Sequence, residues 1–176
     1  PPDPRRFAEA LHLLRHRGPD DQGVWSAPGV MLGHRRLSII DLSPAGHQPM
    51  TSPDGALTIT YNGEIYNYVE LRDELRAAGR TFRTESDTEV LLQLYDAYGA
   101  ACVRKLNGIF AFLIYDRDRN VVLAARDHFG VKPLYWTRTG DEILFASEIK
   151  AFWQHPGMRA RPRHDAHATR LAVVRR

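Results

Sequence analysis

A β-forming run, Leu57-Thr58-Ile59-Thr60-Tyr61, passes through Asn62-Gly63-Glu64 into a run of helical periodicity over 68–78. The two periods cannot share one element, so the chain must turn from strand to helix here. The junction holds unusual chemistry for a turn. Asn62 offers two side-chain N–H donors, Gly63 lets another backbone approach closely, and Glu64 adds a fixed negative charge. Such a set suits a small polar ligand, with donors for an oxyanion and an anion for an ammonium group. A plain strand-to-helix turn uses Asn and Gly as well. On this stretch alone both readings stand.

The chain has 176 residues, and neither a linker nor a repeat divides it, which predicts one domain. A net charge of +3 raises the question of nucleic acid. Six Arg fall in the last eighteen residues, however, while acids and bases alternate elsewhere, and no aromatic stacking pattern accompanies the basic tail. The expectation is therefore no nucleic-acid partner. No run approaches the roughly 18 apolar residues of a membrane span, so no membrane partner is expected either. The single cysteine, Cys102, allows no intrachain disulfide and fits a reducing, cytoplasmic compartment.

Asp3-Pro4 reads as a helix start, with Phe7, Leu11 and Leu14 on one face. Arg15-His16-Arg17-Gly18-Pro19-Asp20-Asp21 reads as a helix end, Gly18 in the C′ position, followed by a charge-paired loop. Short strands are expected around Pro28-Gly29. In Gly33-His34-Arg35-Arg36-Leu37-Ser38-Ile39-Ile40-Asp41, Leu37, Ile39 and Ile40 are expected to be buried. One of the two Arg can lay its planar fork on a carboxylate, and the other is ordinary surface. His47 has no metal partner at useful spacing and reads as structural. Asn67 with Glu70, and Ser86 with Glu89, have capping-box spacing for two helices. Thr81-Phe82-Arg83-Thr84 reads as a short strand. Asp87, at a helix entrance, is explained by the helix dipole or by a ligand's ammonium group. Cys102 reads as a small core residue. The apolar run over 107–115, a return strand over 121–125 and two further strands flanking Thr139-Gly140-Asp141 follow, then a short final helix through Trp153. The fold class is α+β, with two sheets face to face and helices outside.

Seven segments, in order, resemble the glutaminase half of glutamine-hydrolysing asparagine synthetase: Arg15-His16-Arg17-Gly18-Pro19-Asp20, Arg36-Leu37-Ser38-Ile39, Tyr61-Asn62-Gly63-Glu64-Ile65-Tyr66-Asn67, Ser86-Asp87-Thr88-Glu89, Gly108-Ile109-Phe110-Ala111, Arg126-Asp127-His128-Phe129-Gly130-Val131-Lys132-Pro133-Leu134-Tyr135 and Ala146-Ser147-Glu148-Ile149-Lys150. The resemblance covers about residues 11–153. The resemblance implies a class II (type 2) glutamine amidotransferase domain over 1–155, with a basic tail over 156–176. It implies a four-layer α-β-β-α sandwich of the N-terminal-nucleophile hydrolase type. It assigns the α-carboxylate of glutamine to Arg36, backbone contacts to Leu37 and Ile39, the α-ammonium to Glu64 and Asp87, and the oxyanion hole to Asn62 and Gly63. No cofactor or metal is implied for this domain. ATP and magnesium would belong to a following synthetase domain that converts aspartate to asparagine, normally in the same chain and often in a homodimer.

One departure matters. The family's nucleophile is an N-terminal cysteine whose own amine acts as base, and the present sequence starts at Pro1. As it stands, the sequence is expected to be inactive, lacking that cysteine and the first strand behind it. A clipped glutaminase and a natural non-catalytic glutamine-binding or regulatory domain are the two explanations. Retention of Arg36, Asn62, Gly63, Glu64 and Asp87 together favours the first.

Overall fold

The computed structural model describes residues 3–37 and 46–158. Helix α1 (Pro4–Leu13) starts as expected: the Asp3 carboxylate accepts the Arg5 N–H at 2.9 Å, and Pro4 occupies a first-turn position whose N–H has no helical partner anyway. Strands β1 (Asp21–Ala27) and β2 (Val30–Arg36) form an antiparallel hairpin. A short β3 (Met50–Thr51) lies beside β4 (Leu57–Ile65), which leads to α2 (Tyr68–Ala77) and α3 (Asp87–Tyr98). After a 3-10 segment (Gly99–Lys105) come β5 (Gly108–Asp116), β6 (Val121–Arg126), β7 (Tyr135–Thr139), β8 (Glu142–Ala146) and a last 3-10 turn (Ile149–Gln154).

The sheet β3-β4-β5-β6 is the centre of the molecule. Its β-branched and aromatic residues Ile59, Ile65, Phe110, Phe112 and Ile114 meet Leu75, Val90, Leu91 and Leu94 of α2 and α3 in one core. Each such fully buried side chain contributes roughly 1.5–3 kcal/mol. The other face is crossed by β2: the Thr60 hydroxyl donates to the Gly33 carbonyl at 3.2 Å, and His34 Nε2 lies 3.0 Å from the Tyr61 carbonyl. Because a carbonyl only accepts, His34 carries its proton on Nε2. Helix α1 lies outside β2, with Phe7 against Gly33. The order helix, sheet, sheet, helix is the α+β sandwich expected from the sequence. The second sheet is in two parts, β1-β2 and β7-β8, which are not hydrogen-bonded to each other.

Several local expectations are corrected. Gly18 is extended (φ −160°), not a left-handed cap; a Cβ there would strike the backbone of Arg35 and Arg36. His16 and Arg17 bond Glu148, and Asp21 bonds His47, so these three side chains of that loop look elsewhere than to each other. Asn67 makes no cap bond; it accepts the Asn107 N–H and donates to the Lys105 carbonyl, both at 2.9 Å. Residues 81–84 are not a strand, because the Glu89 carboxylate takes the Arg83 and Thr84 N–H groups that a partner strand would need. Leu37 is 53% exposed rather than buried. Ile39 and Ile40 lie outside the described residues, as do 159–176 of the basic tail.

Burial pulls the His34 imidazolium down to a pKa of about 4 from an ordinary 6.5. The unfolded chain therefore takes up a proton between those values and the folded chain does not. Stability present above pH 6.5 is lost as pH falls to 4, by about 3 kcal/mol from this one residue. Urea unfolding of the wild type across that window should show the loss. His34→Gln, which keeps an N–H for the Tyr61 carbonyl but does not titrate, should show a distinctly flatter profile.

Candidate active site

Strand β4 pairs with β5 along its full length, Leu57 with Asp116 through Ile65 with Gly108. On its other edge β3 covers only Thr58 and Ile59. Phe110 sends its N–H and carbonyl away from β4, to Asp127. Its partner Gly63 therefore also points its backbone groups outward, to the free edge, as do Tyr61 and Ile65 two residues either side. The Tyr61 N–H is taken by the Gln48 side-chain carbonyl at 2.7 Å, and the Ile65 N–H by Asp87 Oδ2 at 3.1 Å. Between them, the Gly63 N–H is bonded by no described residue, nor is the side-chain amide of Asn62. Among the described residues both are donors without an acceptor, side by side on one strand.

Gly63 is a glycine for lack of space. A Cβ there would run into the Ile109 carbonyl oxygen and come within 2.7 Å of the Phe110 Cα, both rigid backbone of β5. Glu64, next along, is exposed. Asp87 starts α3 behind the Ser86 cap and spans the donor pair. Its Oδ2 accepts both the Tyr61 hydroxyl at 2.7 Å and the Ile65 N–H, bracketing residues 62–64. Asn62, Gly63, Glu64 and Asp87 are thus brought to one place. Arg36 closes β2, two residues beyond the His34 that touches the Tyr61 carbonyl, with its guanidinium packed against Gly46. Leu37 follows on the exposed side, and Ile39 is outside the described residues.

Between the two halves of the second sheet runs a groove of about 180 Å³. Leu32 of β2 and Phe145 of β8 face it from either side, Asn62 and its cross-strand partner Ala111 form its floor, and Phe7 and Leu11 of α1 cover it. Cys102 is nowhere near it: the residue is fully buried in the core against α3, and burial pushes its thiol up to about 11. Sequence reasoning missed Tyr61 and Gln48. Tyr61 stood inside the motif and could have been examined as a donor; Gln48 carried no local signal.

The family model described as "Glutamine amidotransferase domain" matches residues 2–175. The chain is 51% identical over 150 residues to asparagine synthetase [glutamine-hydrolyzing] 3 of Bacillus subtilis (strain 168), covering 84% of this chain and 24% of that protein. It is 43% identical over 149 residues to amidase chry2 of Gibberella zeae, covering 81% and 22%. The chain thus spans a quarter or less of these curated relatives. Among solved structures, glutamine phosphoribosylpyrophosphate amidotransferase from B. subtilis, complexed with ADP and GMP, superposes with a TM-score of 0.67 at 25% identity, covering 85% of this chain and 40% of that one.

Gly63→Ala should force β4 off β5. Overpacking of this kind costs about 1–3 kcal/mol, which urea unfolding would register as a lower midpoint with little change in slope.

Proposed function

The chain belongs to the glutamine amidotransferase domain family, and from that premise we propose that the free edge of β4 is the oxyanion-binding face of a glutamine-hydrolysing site. The observation that carries this reading is the open Gly63 N–H beside the open Asn62 amide, isolated by neighbours whose own N–H groups are filled. Asn62 Nδ2 and the Gly63 N–H would donate to the amide oxygen of glutamine as it becomes an oxyanion. Glu64 and Asp87 would receive the α-ammonium, and the Arg36 guanidinium the α-carboxylate, with backbone contacts from Leu37 and Ile39.

The nucleophile would be a cysteine thiol at a chain start. It would attack the side-chain amide carbon while its α-amine takes the thiol proton and passes it to the departing ammonia; water would then cleave the thioester to glutamate. Cys102 does not fill this role, being buried and held as the thiol. The groove between β2 and the β7-β8 hairpin fits an extended apolar segment, and a cysteine-bearing strand seated there would run past Asn62. In the intact protein the ammonia would pass to a synthetase domain using ATP and magnesium, with aspartate as acceptor and asparagine as product. No described helix is long and apolar enough to cross a membrane; a cytoplasmic homodimer completes the proposal.

With a cysteine-bearing strand supplied ahead of Pro1, the domain should release ammonia from glutamine. Asn62→Ala should lower kcat by about 10²–10³-fold with a modest change in KM, the loss typical of one oxyanion donor. Arg36→Ala should chiefly raise KM. A folded, cysteine-started protein that releases no ammonia would overturn the reading.

A further inference from the structure

Asp87 is the half-buried acid of the proposed site, and its two oxygens are not equivalent. Oδ2 accepts two donors, the Tyr61 hydroxyl and the Ile65 N–H, whereas Oδ1 is bonded by no described residue. The donors come from one strand, four residues apart, so the carboxylate is fixed by β4 itself as well as by its place at the start of α3. Tyr61 is in turn fixed: it is 4% exposed, its ring lies in the core, and its N–H is held by Gln48, which also reaches the Thr88 hydroxyl at 3.5 Å on the first turn of α3. Burial, then the Asp87 carboxylate, push the Tyr61 phenol far up, so it stays a donor at any working pH.

We propose that Tyr61 is a positioning residue: by saturating Oδ2 of Asp87 together with the Ile65 N–H, it turns Oδ1 toward the α-ammonium of the ligand and ties that carboxylate to the same strand that carries Asn62 and Gly63. The inference rests on the glutamine reading given above. Its specific content is that Tyr61 acts on the ligand through the ammonium group alone. A carboxylate with one pre-filled oxygen keeps a single orientation, and a ligand that lacks the ammonium gains nothing from it.

The test measures binding by calorimetry in the protein at the length its gene encodes. Two ligands are compared: L-glutamine, and glutaramate, the same chain without the α-amine. Wild type should prefer glutamine, and Asp87→Ala should abolish the preference. Tyr61→Phe, which removes one oxygen atom and keeps the ring, should weaken glutamine about tenfold and leave glutaramate within twofold, the size expected for loosening a charged hydrogen bond. Tyr61→Phe added to Asp87→Ala should change neither ligand further. If Asp87→Ala abolishes the preference and Tyr61→Phe, folded by its thermal midpoint, retains it, Tyr61 is not a positioning residue. A merely structural Tyr61 would weaken both ligands alike, which also overturns the inference. Should Tyr61→Phe fail to fold, Gln48→Leu, which frees the Tyr61 N–H and its brace to Thr88, serves in its place. It should likewise weaken glutamine more than glutaramate, and equal weakening of both would overturn the inference. Absence of any preference in the wild type, unchanged by Asp87→Ala, would sink the glutamine reading itself.

Discussion

Strand β4 has a continuous partner on one side only, and the other edge of the strand organises what surrounds it. An N–H left without an acceptor inside a folded protein costs about 1–3 kcal/mol, so a free edge in the middle of a sandwich must be filled or used. Here it is filled four ways, the first being the Ser52 hydroxyl, which takes the Leu57 N–H at the start of the strand. The short β3 covers two residues, the Gln48 side chain replaces a strand at Tyr61, and the Asp87 carboxylate does so at Ile65. Among the described residues one outward N–H remains, at Gly63. The close approach that forces glycine there keeps β4 flat against β5, and so fixes where that N–H points.

The same device recurs away from the site. Beyond the end of β6, the Asp127 carboxylate accepts the Phe110 N–H of β5 and gathers the N–H groups of Phe129, Val131 and Lys132. Burial alone would raise its pKa, and those four backbone donors instead hold it at about 2. Glu89 does the same for residues 83 and 84, ahead of the helix on which Asp87 sits. Acidic side chains here act as acceptors of last resort for backbone without a strand partner, which lets irregular segments hold fixed shapes beside regular ones.

This explains what could be read from the sequence and what could not. The β-branched and aromatic runs at 57–61 and 108–115, the Asp3-Pro4 helix start and the Ser86 cap are local signals, and each element stands where those signals put it. Asn62, Gly63, Glu64 and Asp87 are candidates named from motif order alone. Their geometry could not be read that way, since it depends on which edge of β4 is open. The expectations that failed did so where a side chain crosses a long stretch of sequence. Asn67 spends its amide on residues 105 and 107 instead of its own helix, and His16 and Arg17 reach Glu148 at the opposite end of the chain. Such bonds satisfy local rules of donor and acceptor but leave no local pattern. Leu37 misled for the opposite reason: an apolar residue after a strand reads as buried, yet here it follows the last residue of β2 out of the sandwich.

The two acids of the proposed site are unequal for the same structural reason. Glu64 is exposed, and no described residue holds its carboxylate, so an ammonium ion meeting it competes with water and salt and must also freeze a mobile side chain. Contacts of that kind contribute about 0–1 kcal/mol. Asp87 is half-buried and already oriented by two donors, so a ligand cation meets a carboxylate whose ordering was completed on folding. Electrostatic attraction is stronger in that less hydrated setting, and the entropy lost on binding is smaller. In the proposed site, recognition of the ammonium would therefore rest mainly on Asp87, with Glu64 adding a screened, longer-range attraction. The strand that polarises the ligand's amide would be the strand that sets the grip on its amine.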